Sequence, residues 1–394
     1  VGSEMCIRDR NMYGSLLESK NTELMNKVNL VINVEARGMN GAVYMFETSL
    51  KNNKVIKLFR KAESPVTYSV APAVYSVMTN YTDFTNFLAA GKNGLNFSTL
   101  NDINDYHVPS DCYANVNTAT VQHYGEQLLP IVEEYVSDAV YSDMNYFDGT
   151  HDAVFFNFLP EVFVSYSSVT AVVLAVCVLL ALTALIVVGA LKKQFDFKSW
   201  GKYIGFVLIG LAIAVAVGMV VSLVTARLNG YPWSLVNVRS ACSDWILVLT
   251  AGAIFVALHF AARRLLRSDG LRMFNFAAVT VQAILNLIVA IALSGASFLF
   301  LIPALAGVIY LAAEHFVKNV WGKRTVAYLS LFCIVCIFVP LIFSLQYALT
   351  IGGLAALTAL AYFPFSVLLP MLYGEIREGK AQEKPEEAAT ASAQ

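Results

Sequence analysis

The stretch VNLVINVEARGMNGAVYMFETS, residues 28–49, decides how the first part of this chain is built. Its opening VNLVINVE is a short run rich in β-branched side chains that ends on polar residues, the pattern of a buried strand. The turn residues RGMNG come next, and GAVYMFETS (41–49) reads as a second strand. Beyond it, 51–61 reads as a helix. SVAPAVYSVM (69–78) reads as a second helix, interrupted by Pro72. TDFTNFLAAG (82–91) is a third, opening on a Thr cap and stopping at Gly91. GLNFSTL (94–100) is a third strand, and the loop 101–116 leads from it into NTATVQHYGEQLLPIVEEYVSDAV (117–140). That segment has the spacing of a long amphipathic helix, with Leu128, Ile131, Val132 and Tyr135 on one stripe. Strands alternating with helices argue for an α/β layer structure. Three strands make a small sheet, so this reads as the later part of a larger domain.

The rest of the chain obeys different rules. The whole is 57% hydrophobic over 394 residues, with a mean hydropathy of +0.59, too apolar for an ordinary soluble domain. Residues 1–165 carry 19 acidic and 11 basic side chains, whereas residues 166–394 carry 9 and 16. A near-neutral total of −1 therefore joins an acidic part to a basic one. From Tyr166 onward, uncharged runs recur at lengths that cross a bilayer, where about 20 residues are needed. We read seven spans, at 166–190, 203–226, 242–262, 274–294, 297–313, 326–346 and 349–372. The fourth and fifth are joined by only SGA. Lysines and arginines concentrate in alternate loops: Lys192, Lys193, Lys198 and Lys202, then Arg263, Arg264, Arg267 and Arg272, then Lys318, Lys323 and Arg324. The intervening loops hold Arg227 and Arg239 alone. By the positive-inside rule this puts residues 11–165 outside the cytoplasm and the polar tail inside it.

The expected division is a non-native leader at 1–10, a partial α/β domain at 11–150, a connector at 151–165, a transmembrane domain at 166–373 and a disordered cytoplasmic tail at 374–394. The leader, VGSEMCIRDR, has no apolar signal core and does not match the sequence beyond it; more sequence is expected upstream of residue 11. Setting Cys6 aside, the first part holds only Cys112, so no disulfide framework is possible there. Cys333 and Cys336 form a C-x-x-C inside an apolar run and read as packing residues. Polar groups inside the spans are Asp244, His259, Gln282, Asn286, Glu314 and His315, with Gln282 and Asn286 on one helical face. Interhelical hydrogen bonding is their ordinary use.

Few residues of the first part could carry chemistry. Glu35 ends a strand, where α/β proteins place their sites. His107, in YHVPSD, sits in a loop beyond another strand end. A carboxylate and an imidazole brought together suit zinc. Taken alone, each has a plain structural use as well: a turn carboxylate for Glu35, a hydrogen-bonding loop residue for His107.

Three segments shift that balance. NLVINVEARGMNGAVYMFETS, NYTDFTNFLAAGKNGLNFSTL and YHVPSDCYANVNTATVQHYGEQLLPIVEEY together resemble the C-terminal half of the di-zinc exopeptidases, in particular their membrane-anchored branch. The resemblance covers about residues 13–145. It implies two zinc ions, with Glu35 as the fourth of five ligand positions and His107 as the fifth, one on each metal. The remaining ligands and the general-base Glu would lie upstream of residue 11. It further implies Tyr106 as a possible oxyanion donor, Asp111 as a partner orienting the His107 loop, and Asn80, Asp83 and Arg37 near the substrate pocket. The open alternatives are a packing role for Tyr106, turn and cap roles for Asn80 and Asp83, and pairing with a neighbouring acid for Arg37. The expected protein is thus an α/β exopeptidase part followed by an all-α polytopic membrane domain. It would act on peptide ends in the aminopeptidase manner, with a peptide substrate and the lipid bilayer as partners, and this chain alone would be inactive. The alternative is a multi-span transporter or membrane scaffold carrying a degenerate peptidase-like domain. No phosphate loop, nucleotide fingerprint or nucleic-acid patch occurs, so neither nucleotide nor nucleic acid is expected as a partner.

Overall fold

The structure, a computed structural model, describes residues 12–391 except 77–80, 107, 160–161, 231, 237 and 266–269. Two short helices, α1 (Tyr13–Ser19) and α2 (Thr22–Met25), precede the first strand, β1 (Val31–Val34). Then come β2 (Asn40–Thr48), α3 (Asn53–Phe59), α4 (Val70–Ser76), α5 (Asp83–Ala89), β3 (Gly94–Asn101) and the long α6 (Thr118–Ser137). The three strands form one sheet in the order β1-β3-β2. β1 runs parallel to β3 with Val31 opposite Gly94, and β2 runs antiparallel to β3 with Val43 opposite Thr99. The turn between β1 and β2 depends on its glycines. A Cβ at Gly38 would fall 1.8 Å from the Asn101 carbonyl oxygen, and Gly41 has a φ of +87°. The core below the sheet is Val43, Met45, Ile56, Phe59, Leu95 and Phe97, closed by Ile131 of α6 and by Phe147 and Phe155.

Of the expected apolar stripe of α6, Ile131 is buried in the core and Leu128 and Tyr135 pack against it. Val132 is exposed, and the buried positions are Thr120, Gln127 and Ile131. The reason lies in β2, which is an edge strand and leaves backbone groups to be satisfied. The Val43 N–H donates to His123 Nδ1 at 3.1 Å, Gln127 Nε2 donates to the Val43 carbonyl at 2.7 Å, and Thr120 Oγ1 donates to the Gly41 carbonyl at 3.1 Å. The helix serves that edge with polar side chains, so its inward stripe is polar too.

Strands β4 (Ala153–Leu159) and β5 (Val162–Ser167) pair antiparallel as a hairpin, within and just past the segment read as a connector. In AVFFNFL both faces are apolar, since one lies on each part of the molecule, and alternation is lost. Phe155 belongs to the first core, whereas Phe156 stacks on Phe298 at 4.8 Å between ring centroids. Asn157 ties the hairpin down by accepting from the Thr67 N–H at 2.8 Å and donating to the Pro65 carbonyl at 2.7 Å.

Ser167 caps the first of seven long apolar helices, accepting from the Thr170 N–H at 3.0 Å. They are α7 (Ser168–Leu191), α8 (Phe197–Leu228), α9 (Ser243–Leu265), α10 (Gly270–Ala292), α11 (Phe298–Phe316), α12 (Val320–Leu349) and α13 (Leu354–Ala391). All seven are long and apolar enough to cross a membrane, α13 through residues 351–373. Helices α10, α11 and α13 are mostly buried in the bundle, while the other four mostly face outward. Polar cross-links hold the bundle: Thr358 Oγ1 donates to the Ala214 carbonyl and Tyr362 to the Val207 carbonyl, both at 2.8 Å, and Gln282 Nε2 to the Phe363 carbonyl at 2.9 Å. α13 continues to Ala391 through the segment read as a disordered tail. That segment is rich in Ala, Glu, Lys and Gln, which are good helix formers.

The sheet part packs on one end of this bundle. Ser69 Oγ donates to the Gly295 carbonyl at 2.5 Å, Ser344 Oγ to the Tyr44 hydroxyl at 3.1 Å, and Arg37 Nη1 to the Ala348 carbonyl at 2.8 Å. Residues 229–242, 293–297 and 350–353 join helices at this same end.

Candidate functional site

β1 ends at Val34, but the chain stays alongside β3 for three more residues. The Glu35 N–H donates to the Phe97 carbonyl at 2.8 Å and the Arg37 N–H to the Thr99 carbonyl at 3.2 Å. Residues two apart on an extended chain share a side. Glu35 and Arg37 both line a cavity of 410 Å³ between the sheet and the bundle end. Tyr124 of α6 fixes this corner, its hydroxyl donating to the Glu35 carbonyl oxygen and accepting from the Thr99 N–H.

Glu35 stands in an amide network that sequence reasoning missed. Asn33 Nδ2 donates to Glu35 Oε1 at 3.2 Å and to Asn96 Oδ1 at 2.9 Å; Asn96 Nδ2 donates to Glu47 Oε2 at 2.8 Å and to Thr82 Oγ1 at 2.9 Å. Two carboxylates, on β2 and just past β1, are thus bridged through two asparagines. Burial pushes the Glu47 carboxyl above the ordinary range, the Asn96 hydrogen bond opposes this, and the charge of Glu35 adds to the rise. The signal was present: Asn33 and Asn96 are polar residues inside strands, where only a partner justifies them.

The other expected residues fall at several places. Tyr106 lines the cavity at the end of a 3₁₀ turn over Ile103–Asp105. His107 and Asn80 lie outside the described residues. Asp111 is half-buried, and beside it Ser110 Oγ donates to Asp105 Oδ1 at 2.7 Å. Asp83 opens α5 and accepts from Ser15 Oγ at 2.7 Å, facing α1, while its neighbours Tyr81 and Thr82 line the cavity. Arg37 pairs with no acid at ion-pair distance; among the described residues the ion pairs are Lys27–Glu23 and Lys61–Glu134. Burial lowers the Arg37 pKa from its ordinary value, Tyr106 opposes this, and the charge of Arg239 adds to the fall. Arg239, from the loop between α8 and α9, lines the same cavity and was not singled out from sequence.

A zinc site needs three or four donors around one point. Among the described residues no three of His, Cys, Asp and Glu come together in that way. Glu35 is the one carboxylate in the described cavity lining, so these residues do not by themselves fit a zinc ion. What the corner does offer is a carboxylate, a phenol and two guanidiniums around a partly enclosed space.

Comparison with known proteins bears on this corner directly. The chain is 25% identical over 259 residues to a Schizosaccharomyces pombe protein named "Putative endoplasmic reticulum metallopeptidase 1". The match covers 64% of this chain and 29% of that protein, so the chain spans under a third of the relative's length. At 259 residues the similarity is longer than the part preceding α7 and runs into the long helices. No solved structure matches the chain. Residues 9–132, which contain Glu35, Arg37 and Tyr106, match the sequence model of peptidase family M28. The part of this chain that builds the sheet is an M28 domain, of the zinc exopeptidase family, and it is joined to seven apolar helices.

Proposed function

We propose that this chain is part of a membrane-bound, zinc-dependent exopeptidase that hydrolyses peptide bonds at chain ends, with its chemistry at the 410 Å³ cavity. The observation that carries the reading is the position of Glu35. It is the M28 segment's strand-end carboxylate, held by Asn33 and Tyr124, and it faces a cavity large enough for a short peptide. Glu35 and His107 serve as two metal ligands, and the complete site binds two zinc ions. Tyr106 presents a hydroxyl that donates to the substrate carbonyl oxygen as charge builds there. Arg37, Asp83, Asn80 and Asp111 position the substrate or the His107 loop.

The proposed division places residues 11–150 in the peptidase part, 166–373 in the membrane, and residues 11–165 outside the cytoplasm. One observation supports this orientation. The helix ends that meet the sheet part adjoin the loops poor in Lys and Arg, and the Lys- and Arg-rich loops join helices at the other end. The similarity of the chain to a protein named for the endoplasmic reticulum, with the seven candidate spans, supports the membrane location itself.

The test is hydrolysis of aminoacyl amides and short peptides by the purified product of the native locus and, side by side, by residues 1–394. The expected result is chelator-sensitive hydrolysis by the first and none by the second, in line with the chain's coverage of under a third of the relative's length. In the active protein, Tyr106→Phe lowers kcat about 10²-fold with KM little changed. Hydrolysis by residues 1–394 at the same rate, or chelator-insensitive turnover, contradicts the reading.

A further inference from the structure

The cavity beside Glu35 is made mostly, but not wholly, by the M28 segment. Its other wall is α12, whose residues Leu341, Ser344, Leu345 and Ala348 line it. These positions recur at three- and four-residue spacing, so they form one stripe near the end of a helix long enough to cross a membrane. Two cations meet that wall. Arg37 reaches it from the sheet and donates Nη1 to the Ala348 carbonyl at 2.8 Å. Arg239 reaches it from the loop after α8, which is pinned by Asn229 Nδ2 donating to the Arg239 carbonyl at 2.7 Å. Against these two guanidiniums the described lining holds one carboxylate, Glu35. Arg239 also borders a smaller hollow shared with Asp102 and Asp244, yet neither acid comes within ion-pair distance of it.

Two like charges gathered at a partly enclosed, largely apolar space repel each other, and an anionic group between them relieves that cost. Arginine is suited to the task because its planar fork binds a carboxylate through two parallel hydrogen bonds. The neighbouring stripe of Leu341, Leu345 and Ala348 offers nothing to a polar group and fits an aliphatic side chain.

From this arrangement we infer that the cavity selects peptides carrying a carboxylate next to an aliphatic residue, with Arg239 and Arg37 taking the carboxylate and the α12 stripe taking the side chain. The inference rests on the reading of the site as a peptidase and adds a specificity element supplied by a membrane helix. The carboxylate has two possible sources, the free C-terminus of a dipeptide or an acidic side chain.

Binding to the full chain, purified in detergent, separates these sources without needing turnover. The probes are Ala-Leu and its C-terminal amide, and the amides of Ala-Glu and Ala-Gln, followed by calorimetry. Ala-Leu binding about tenfold tighter than its amide identifies the terminal carboxylate; Ala-Glu amide binding about tenfold tighter than Ala-Gln amide identifies the side chain. Either supports the inference. Arg239→Gln removes that preference while leaving affinity for the neutral probe and the melting temperature unchanged. Leu345→Asn weakens Ala-Leu and its amide alike. Acid and amide binding equally in both pairs, or a preference that survives Arg239→Gln, overturns it. Absent hydrolysis by the product of the native locus with an intact acid preference removes only the peptidase reading; hydrolysis by that product without any preference removes only this one.

Discussion

Glu47 shows how the corner around Glu35 is set. Its carboxyl lies on an inward face of β2, where removal from water favours the neutral form. A folded-state pKa above the unfolded one adds stability that is fully present below the ordinary value of 4.5 and is lost as pH rises through the folded value. Glu47→Gln keeps an acceptor for Asn96 Nδ2 and removes the charge. Its thermal midpoint should therefore exceed that of the wild type near neutral pH, with the two converging below about pH 4.5, as read by differential scanning fluorimetry. A variant that is less stable than the wild type at neutral pH would contradict this account. Tyr124→Phe makes the complementary case. It leaves the Glu35 carbonyl and the Thr99 N–H without their shared phenol and should cost about 1–3 kcal/mol, measurable by the same method. At this scale the sequence was informative where a motif carries the residue. Glu35, singled out at a strand end, and Tyr106, singled out by the resemblance, both line the cavity. Arg239 was invisible because it lies some 200 residues along the chain in a loop whose placement depends on the whole bundle. The asparagine bridge depends on β1 pairing with β3, a register that no local pattern states.

At the scale of elements, the length of the uncharged runs predicted the seven helices, and short β-branched runs predicted the three strands. The hairpin β4–β5 escaped because it is buried on both faces by different parts of the molecule, which erases alternation. On α6 the apolar stripe was legible at Leu128, Ile131 and Tyr135, which pack on the core, whereas the polar contacts of Thr120, His123 and Gln127 with the β2 edge were not. Within the bundle, α10 carries a buried amide stripe at Asn275, Gln282 and Asn286. Gln282 Nε2 bonds the Phe363 carbonyl, but both side-chain polar atoms of Asn286 lack a partner among the described residues. The two should respond oppositely. Asn286→Leu removes an unsatisfied buried amide and is expected to be neutral or stabilising by about 1 kcal/mol, whereas Gln282→Leu costs about 1 kcal/mol by losing an interhelical bond. Unfolding in detergent with a graded denaturant measures both; a strongly destabilised Asn286→Leu would mean the amide has a role in holding the bundle together.

For the whole molecule, the decisive feature is that the two parts share a site. Arg37 on the sheet bonds Ala348 on α12, Tyr44 accepts from Ser344, and the cavity takes its lining from both. The helices therefore do more than anchor: they complete a wall of the space where the M28 segment holds its carboxylate. Most of that arrangement is three-dimensional and was not legible in the chain, although the order of a small sheet part followed by seven apolar helices was. The measurement that tests the account most directly is zinc content per chain, by plasma mass spectrometry, for the product of the native locus and its Glu35→Ala and His107→Ala variants. The account predicts about two zinc ions in the parent and a loss of about one in each single variant, with the fold retained. Unchanged zinc in both variants would contradict it, and would leave Glu35 as a structural carboxylate at the end of β1.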